Sequence, residues 1–219
     1  MADQQAIAAA LPRLKVLALP KGVLLPGSGL PLQLGEPGPL ALVEEAMQGD
    51  QVIAVAMLAR GWEAAPGARP PMRAVAGAGV IEEHQMLAGG GREILVRGVA
   101  RVRIVGEHSA GKPFREVSAV AVEESPAQDN RQVETVRRAV LQLSGTLPED
   151  LGRVVSIAAA RIVDPGTLCD AVAAALFEDV EALQAVLEAF EVQSRLQRVL
   201  SEVGALLLAS QPPSSDLLS

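Results

Sequence analysis

The 219-residue chain is 49% hydrophobic yet only 2% aromatic, so it can bury a sizeable aliphatic core but lacks the stacking platforms that single-stranded nucleic acids use. Its formal net charge of −7 argues against a phosphate-binding surface as the main function. The single cysteine, Cys169, excludes an intrachain disulfide and a cysteine metal cluster, and suits a reducing cytoplasm.

Residues 1–10 read as a frayed or weakly helical lead, and with Asp3 and no basic stretch they do not make a signal peptide. Leu14 to Leu19 predicts a strand. Pro26-Gly27 predicts a turn, because proline presets the first turn residue and glycine accepts positive φ. Leu30 to Leu34 follows as a second strand. Leu40, Val43 and Met47 recur at helical spacing and predict a short helix ending at Gly49. Gln51 to Leu58 is an apolar, β-branched strand. The longest apolar run, Val52 to Ala59, is far below the roughly 18 residues of a membrane span.

Residues 59–71 form a Pro/Gly-rich loop holding the only tryptophan, Trp62. Met72 to Met86 returns to strand-like sequence, and the glycines of residues 88–91 predict a hairpin tip. Glu93 to Val105 alternates apolar residues with Arg97, Arg101 and Arg103. It reads as two strands broken at Gly98, with the arginines largely on an outer face. Phe114 to Val122 is the last strand of the series.

At about residues 123–128 the period changes from two to 3.6. Val133, Val136, Val140 and Leu143 line one helix face. Leu151, Val154, Ala158 and Ile162 line the next. Asp164-Pro165 is an N-cap followed by proline at the first helical position, opening a helix with Leu168, Val172 and Leu176 on its face. Asp179 caps a fourth helix. The last carries Val192, Leu196, Val199, Val203 and Leu206, a heptad-like seam about two heptads long, which is short for a coiled coil and suits packing on neighbouring helices. The predicted organisation is α+β: a β-rich part over residues 1–126 with one short helix, an all-helical part over 127–210, and a disordered tail over 211–219. The charge is split the same way, since residues 1–126 hold 12 basic and 13 acidic side chains (net −1) and residues 127–219 hold 7 and 13 (net −6).

Several motifs invite chemical readings. Gly106 to Lys112 fits G-x-x-x-x-G-K, but Pro113 stands where Ser or Thr must hold Mg²⁺, and strands flank the motif on both sides. A hairpin loop is the better reading. His84 follows Glu82-Glu83, and a solvated hairpin outweighs a weak ion site there. Cys169 sits among helical Ala and Leu and reads as a core residue. No nucleophile–base pair is evident, so neither catalytic residues nor cofactor nor metal ligands are assigned. Trp62, Met72, Met86 and Leu87 are apolar residues on or beside loops. They are the candidate contacts for an exposed polypeptide segment, with local packing onto the strands as the competing reading.

The ordered series Leu17, Leu19, Val23, Pro26, Gly27, Pro31 and Leu32 resembles the opening segment of the amino-terminal domain of the ATP-dependent Lon protease, L-P-L-x-x-x-V-x-F-P-G-x-x-x-P-L. Ala18 and Leu25 depart from it, and Pro20 and Glu36-Pro37 look more like the freestanding members of that family. Gly79-Val80-Ile81, then Ile94, Leu95, Val96, Gly98, Arg101 and Ile104, then Pro113-Phe114, continue the resemblance. In the helical part Asp164-Pro165, Leu168 and Asp170, and later Glu188, Val192, Arg195 and Leu196, follow the same pattern. The resemblance covers residues 11–208. It implies a PUA-like mixed β-barrel followed by a helical bundle, with Pro20, Pro26, Gly27, Pro31, Gly98 and Arg101 as structural signature positions. It further implies a non-catalytic module, without the ATPase and peptidase parts, that binds unfolded or degron-bearing polypeptide or a protease partner, as a monomer or weak homodimer. Because PUA-like folds elsewhere bind RNA, the alternative is an RNA-binding protein using an Arg97/Arg101/Arg103 face.

Overall fold

The computed structural model describes residues 2–64, 69–109 and 111–210; the expected tail over 211–219 and part of the 59–71 loop lie outside the described residues. The fold is mixed α/β, with, among the described residues, six strands in one sheet and seven α-helices. In chain order these are α1 (Ala2–Ala10), β1 (Leu14–Leu19), β2 (Gly29–Leu34), α2 (Pro37–Gln48), β3 (Val52–Met57), β4 (Val75–Met86), β5 (Arg92–Glu107), β6 (Arg115–Ala121), α3 (Asn130–Ser144), α4 (Glu149–Arg161), α5 (Pro165–Leu176), α6 (Val180–Glu188) and α7 (Val192–Ala209). None of these helices is long and apolar enough to cross a membrane.

The strand order is β2-β5-β4-β3-β1-β6, and β5 also pairs with β6, so the hydrogen-bonded order returns on itself through β5. β1 and β3 run parallel; the other pairs are antiparallel. All six residues of β3 are buried. A strand covered on both faces reads as a continuous apolar run, which is why Val52 to Met57 shows no alternation. Val52, Ala54 and Ala56 join one core cluster with Leu14, Val16 and Ile7 of α1. Ile53 and Val55 join another with Leu42, Val43 and Ala46 of α2. Residues 2–10 are therefore helical rather than frayed: Ile7 and Ala10 are buried, and their anchoring holds α1 on the sheet.

β5 is continuous where two strands were expected. Gly79 pairs with Gly98 and Ala78 with Ala100, leaving Val99 as a β-bulge. One extra residue reverses the alternation beyond it. Arg97 and Arg101 consequently lie on opposite faces, and Arg101 is only 2% exposed rather than on an outer face.

Compact units divide the chain at Glu123/Glu124, and residues 179–188 belong to the first unit with residues 1–123. The expected division placed these residues in the helical part, because their period is helical. Side-chain bonding explains the assignment. Gln184 Nε2 donates to the Val75 carbonyl at 3.0 Å, and Arg101 Nε donates to the Leu187 carbonyl at 3.1 Å. Arg73 reaches Glu181 at 2.5 Å. Among the described residues the first unit thus carries the α-helices α1, α2 and α6, instead of one short helix.

In the second unit, Val133, Val136, Val140 and Leu143 of α3 are buried as expected, and so are Val192, Leu196, Val199 and Val203 of α7, whereas Leu206, the last residue of the expected seam, is 36% exposed. The α7 seam is filled by packing against α3 and α5. Helix α4 departs from expectation: its buried residues are Gly152, Val155 and Ala159, while Val154 is exposed. Glycine is the cause. A Cβ at Gly152 would stand 2.4 Å from the Ser144 carbonyl oxygen, so close approach of α3 and α4 selects the Gly152 face over the more apolar one. Arg195 is fully buried, its NH1 3.2 Å from both carboxylate oxygens of Asp170 and its NH2 2.6 Å from Glu124.

Candidate polypeptide-binding surface

Three of the signature positions, Pro26, Gly27 and Gly98, meet at one crossing. Residues 22–28 run over the β4–β5 pair, and the crossing is tight because glycines form its floor. A Cβ at Gly77 would lie 1.9 Å from the Leu24 oxygen, and one at Gly98 would lie 2.1 Å from the Leu25 oxygen. Gly27 has φ +78 and donates its N–H to the Gly98 carbonyl at 2.9 Å, while the Gly98 N–H donates to the Ser28 carbonyl at 2.8 Å. Pro26-Gly27 and Gly98 are therefore one device, in which the turn docks on the strand. Pro20 lies in the exposed turn after β1, and Pro31 lies on β2 opposite Leu95.

Beyond this crossing, β2, β5 and β4 continue as a three-stranded ribbon ending in the hairpin at residues 87–91. Gly89 and Gly90 at its tip have φ of +98 and +90. A second bulge at Glu82 sets the ribbon's faces, since Ile81 pairs with Val96 and Glu83 with Leu95. Rows across the ribbon follow from the register: Pro31–Leu95–Glu83 and Gln33–Glu93–Gln85 share one face, and Leu34–Arg92–Met86 lies on the other. The first face bears a concavity of about 350 Å³ lined by Pro31, Leu95, Glu83, Gln85 and Glu93, with the ribbon backbone at His84 and Ile94. Hydrogen bonds from Gln33, then Gln85, hold the Glu93 carboxyl below its ordinary range, so the rim keeps its negative charge.

Met86 is 72% exposed at the end of β4. Leu87 beside it is half-buried, its N–H donating to Gly91 at 2.8 Å. Pairing of β4 with β3 ends at Val80, so among the described strands Glu83 to Met86 pair with β5 alone. The hydrogen bond from Leu87 to Gly91 fixes the parity of that ladder. His84 and Met86 accordingly turn their backbone N–H and C=O groups away from β5.

Trp62 and Met72 lie elsewhere. Trp62 opens a 3-10 turn after β3, and Met72 bridges Leu58 just before β4 begins. Both are half-buried, and Met72 packs against the cluster that holds α1. The length of β4, on the order of 35 Å for a straight strand, separates them from Met86 and Leu87, so the four apolar candidates make two places. Met72 lines a separate concavity of about 300 Å³ with Ile104, Val105, Arg73 and Arg115. Arg115 there binds Glu107 at 2.5 and 2.9 Å, which with Arg69 keeps the Glu107 carboxyl below its ordinary range.

The arginines form no common RNA face. Arg97 is engaged by Glu82 and by Asp3, the latter at 2.8 Å, and Arg101 is buried. Lys112 of the G-x-x-x-x-G-K stretch binds Glu45 at 2.5 Å and Glu116 at 3.1 Å. Two carboxylates on the one lysine oppose a phosphate role. The acidic and apolar groove residues Glu83, Glu93 and Leu95 escaped sequence reasoning because the Glu82 bulge decides which of them share a face.

Residues 13–204 match the family of the ATP-dependent protease La (LON) substrate-binding domain. The chain is 35% identical over 196 residues to a Lon protease of Roseiflexus castenholzii, covering 86% of this chain and 23% of that protein. It is 31% identical over 194 residues to Lon protease 2 of Myxococcus xanthus, covering 85% and 23%. The chain thus spans about a quarter of the length of the curated relatives it matches. Among solved structures, the N-terminal domain of the Mycobacterium avium complex Lon protease superposes with a TM-score of 0.71 at 19% identity, covering 88% of this chain and 98% of that one. The Lon N-terminal domain protein from Xanthomonas campestris gives 0.65 at 16%, covering 86% and 97%. The match over residues 13–204 and the 35% identity over 86% of the chain carry the assignment, and the chain belongs to the Lon substrate-binding domain family.

Proposed function

We propose that the chain is a non-catalytic recognition module that captures extended polypeptide segments, unfolded or degron-bearing, along the β2–β5–β4 ribbon. The observation that carries this reading is Met86, a large apolar side chain 72% exposed at the end of a strand whose outer edge is unpaired by β3. An extended segment can add alongside His84 to Met86 by backbone hydrogen bonds, and neighbouring side chains supply selection. The groove's apolar floor, Pro31 and Leu95, and its acidic rim, Glu83 and Glu93, favour segments that mix apolar with basic residues. Family membership supports the general role, and the pairing order that returns through β5 supports reading the sheet as a PUA-like barrel. A protease is the alternative polypeptide partner, and a reducing, cytoplasmic setting fits a chain whose single cysteine, Cys169, is buried.

The test is fluorescence anisotropy of a labelled, permanently unfolded polypeptide titrated with the chain across a range of salt. Saturable binding that persists in high salt is expected. Met86→Ser should weaken it about tenfold, the scale of one well-placed apolar contact, and Trp62→Ser or Met72→Ser should leave it within about twofold. Weakening by the latter pair alone would move the site to the other end of β4. Unchanged affinity in all three variants would eliminate both places.

A further inference from the structure

Helix α4 presents to solvent a face its own fold does not use. Positions 150, 154, 157, 158 and 161 follow steps of 4, 3, 1 and 3 and lie on one stripe, opposite the buried Gly152, Val155 and Ala159. Val154 is 55% exposed and Ile157 45%, both in the middle of the stripe, with half-buried Leu151 and Ala158 at its margin. The stripe's two ends are charged and of opposite sign: Asp150 at the amino end, with its side chain 96% exposed, and Arg161, also exposed, at the carboxyl end.

This arrangement is complementary to a reversed copy of itself. When two copies of α4 are laid antiparallel about a two-fold axis midway between Val154 and Ile157, Val154 of each meets Ile157 of the other. Asp150 of each then meets Arg161 of the other, about 16 Å of helix apart within one copy. A parallel alignment would place like charges together at both ends. The antiparallel pair also sets the positive amino end of each helix dipole against the negative carboxyl end of its partner. An isologous contact of this kind needs one patch only, and that patch is complete on this chain.

We infer that α4 is a homodimerisation face, its occupant a second copy of the same chain in antiparallel register. Asp150 already has an exposed intrahelical partner, Arg153 at 3.5 Å, which Arg161 of the second copy joins. One helix face per copy is smaller than the roughly 800 Å² per partner of a standard interface. The dimer is therefore concentration-dependent, with a dissociation constant in the micromolar range or weaker.

Sedimentation velocity on the full 219-residue chain, from about 5 to 500 µM, tests the inference. A monomer–dimer equilibrium is expected. Asp150→Arg alone and Arg161→Asp alone each set like charges together and should raise the dissociation constant about tenfold, whereas the double swap should return it to within about threefold of the original. Ile157→Lys should abolish the dimer. All these positions are exposed, so unchanged circular dichroism and melting serve as the folding control. A chain that stays monomeric throughout overturns the inference and assigns the stripe to some other occupant. A dimer indifferent to Ile157→Lys, or one that the double swap does not restore, overturns it too.

Discussion

Asp164 does at the amino end of α5 what its place before Pro165 predicts: its carboxylate accepts from the Thr167 backbone N–H at 2.7 Å and from the Thr167 hydroxyl at 2.8 Å. The Thr167 amide is the largest influence on its acidity and outweighs burial, with smaller help from the hydroxyl and Arg195, so its pKa lies below the ordinary value. A carboxylate depressed in the folded state adds stability above its unfolded pKa and loses it as the pH falls through the folded value. Asp164→Ala should cost about 1 kcal/mol at pH 7, and the gap to the unaltered chain should close in the acid range below about pH 4. Asp164→Asn should keep most of the cap and lose that pH dependence. Thermal melts of the three chains across pH decide it, and a gap constant down to about pH 3 would refute the cap's charge. Asp164 was legible because a cap is local. Arg101 was not: its burial depends on the bulge at Val99, which appears only once β5 is set against β4.

Elements show the same division between local and long-range information. The α3 and α7 faces were legible because in each the most apolar stripe is the buried one. For α4 the expected stripe is at best half-buried and Val154 is exposed, because the α3–α4 crossing needs a residue without a side chain at position 152. Periodicity cannot rank a glycine face above a valine and isoleucine face; only the crossing can. Gly152→Ala should accordingly destabilise the chain by about 2 kcal/mol or more, since the obstacle is the backbone oxygen of Ser144 rather than a flexible side chain. Val154→Ala on the same helix should cost under about 0.5 kcal/mol. Urea denaturation compares them, and equal costs would mean that the close approach does not constrain α4. In the candidate site, Met86 and the hairpin were legible from the glycines of residues 88–91, but the groove was not. Its floor pairs Pro31 with Leu95, positions 64 residues apart that only the β2–β5 register joins.

For the molecule as a whole, α6 makes the sequence boundary a poor cutting point. The change of period near residue 126 divides strands from helices in sequence, whereas residues 179–188 complete the first unit. A fragment of residues 1–126 leaves Arg101 without the Leu187 carbonyl, Arg73 without Glu181 and the Val75 carbonyl without Gln184. Arg101 and Gln184 are almost completely buried, so these bonds form out of contact with bulk water. Losing a buried, charge-assisted acceptor and a neutral hydrogen bond together should cost about 3 kcal/mol or more, a large share of a domain's usual 5–15 kcal/mol. The fragment is therefore expected to unfold at a clearly lower urea concentration than the same strands in the intact chain, followed by amide exchange of β4. It should also expose apolar surface to a hydrophobic dye before unfolding. Within the intact chain, Gln184→Ala should speed exchange of the Val75 end of β4 more than that of the Met86 end, because the bond it removes lies at the former. If the fragment matched the intact chain in midpoint and exchange, α6 would be an attached helix and not part of the first unit's core. The ribbon that carries Met86 lies at the far end of β4 from these bonds. Its polypeptide binding should consequently survive Gln184→Ala, which separates the contribution of α6 to stability from recognition at the hairpin.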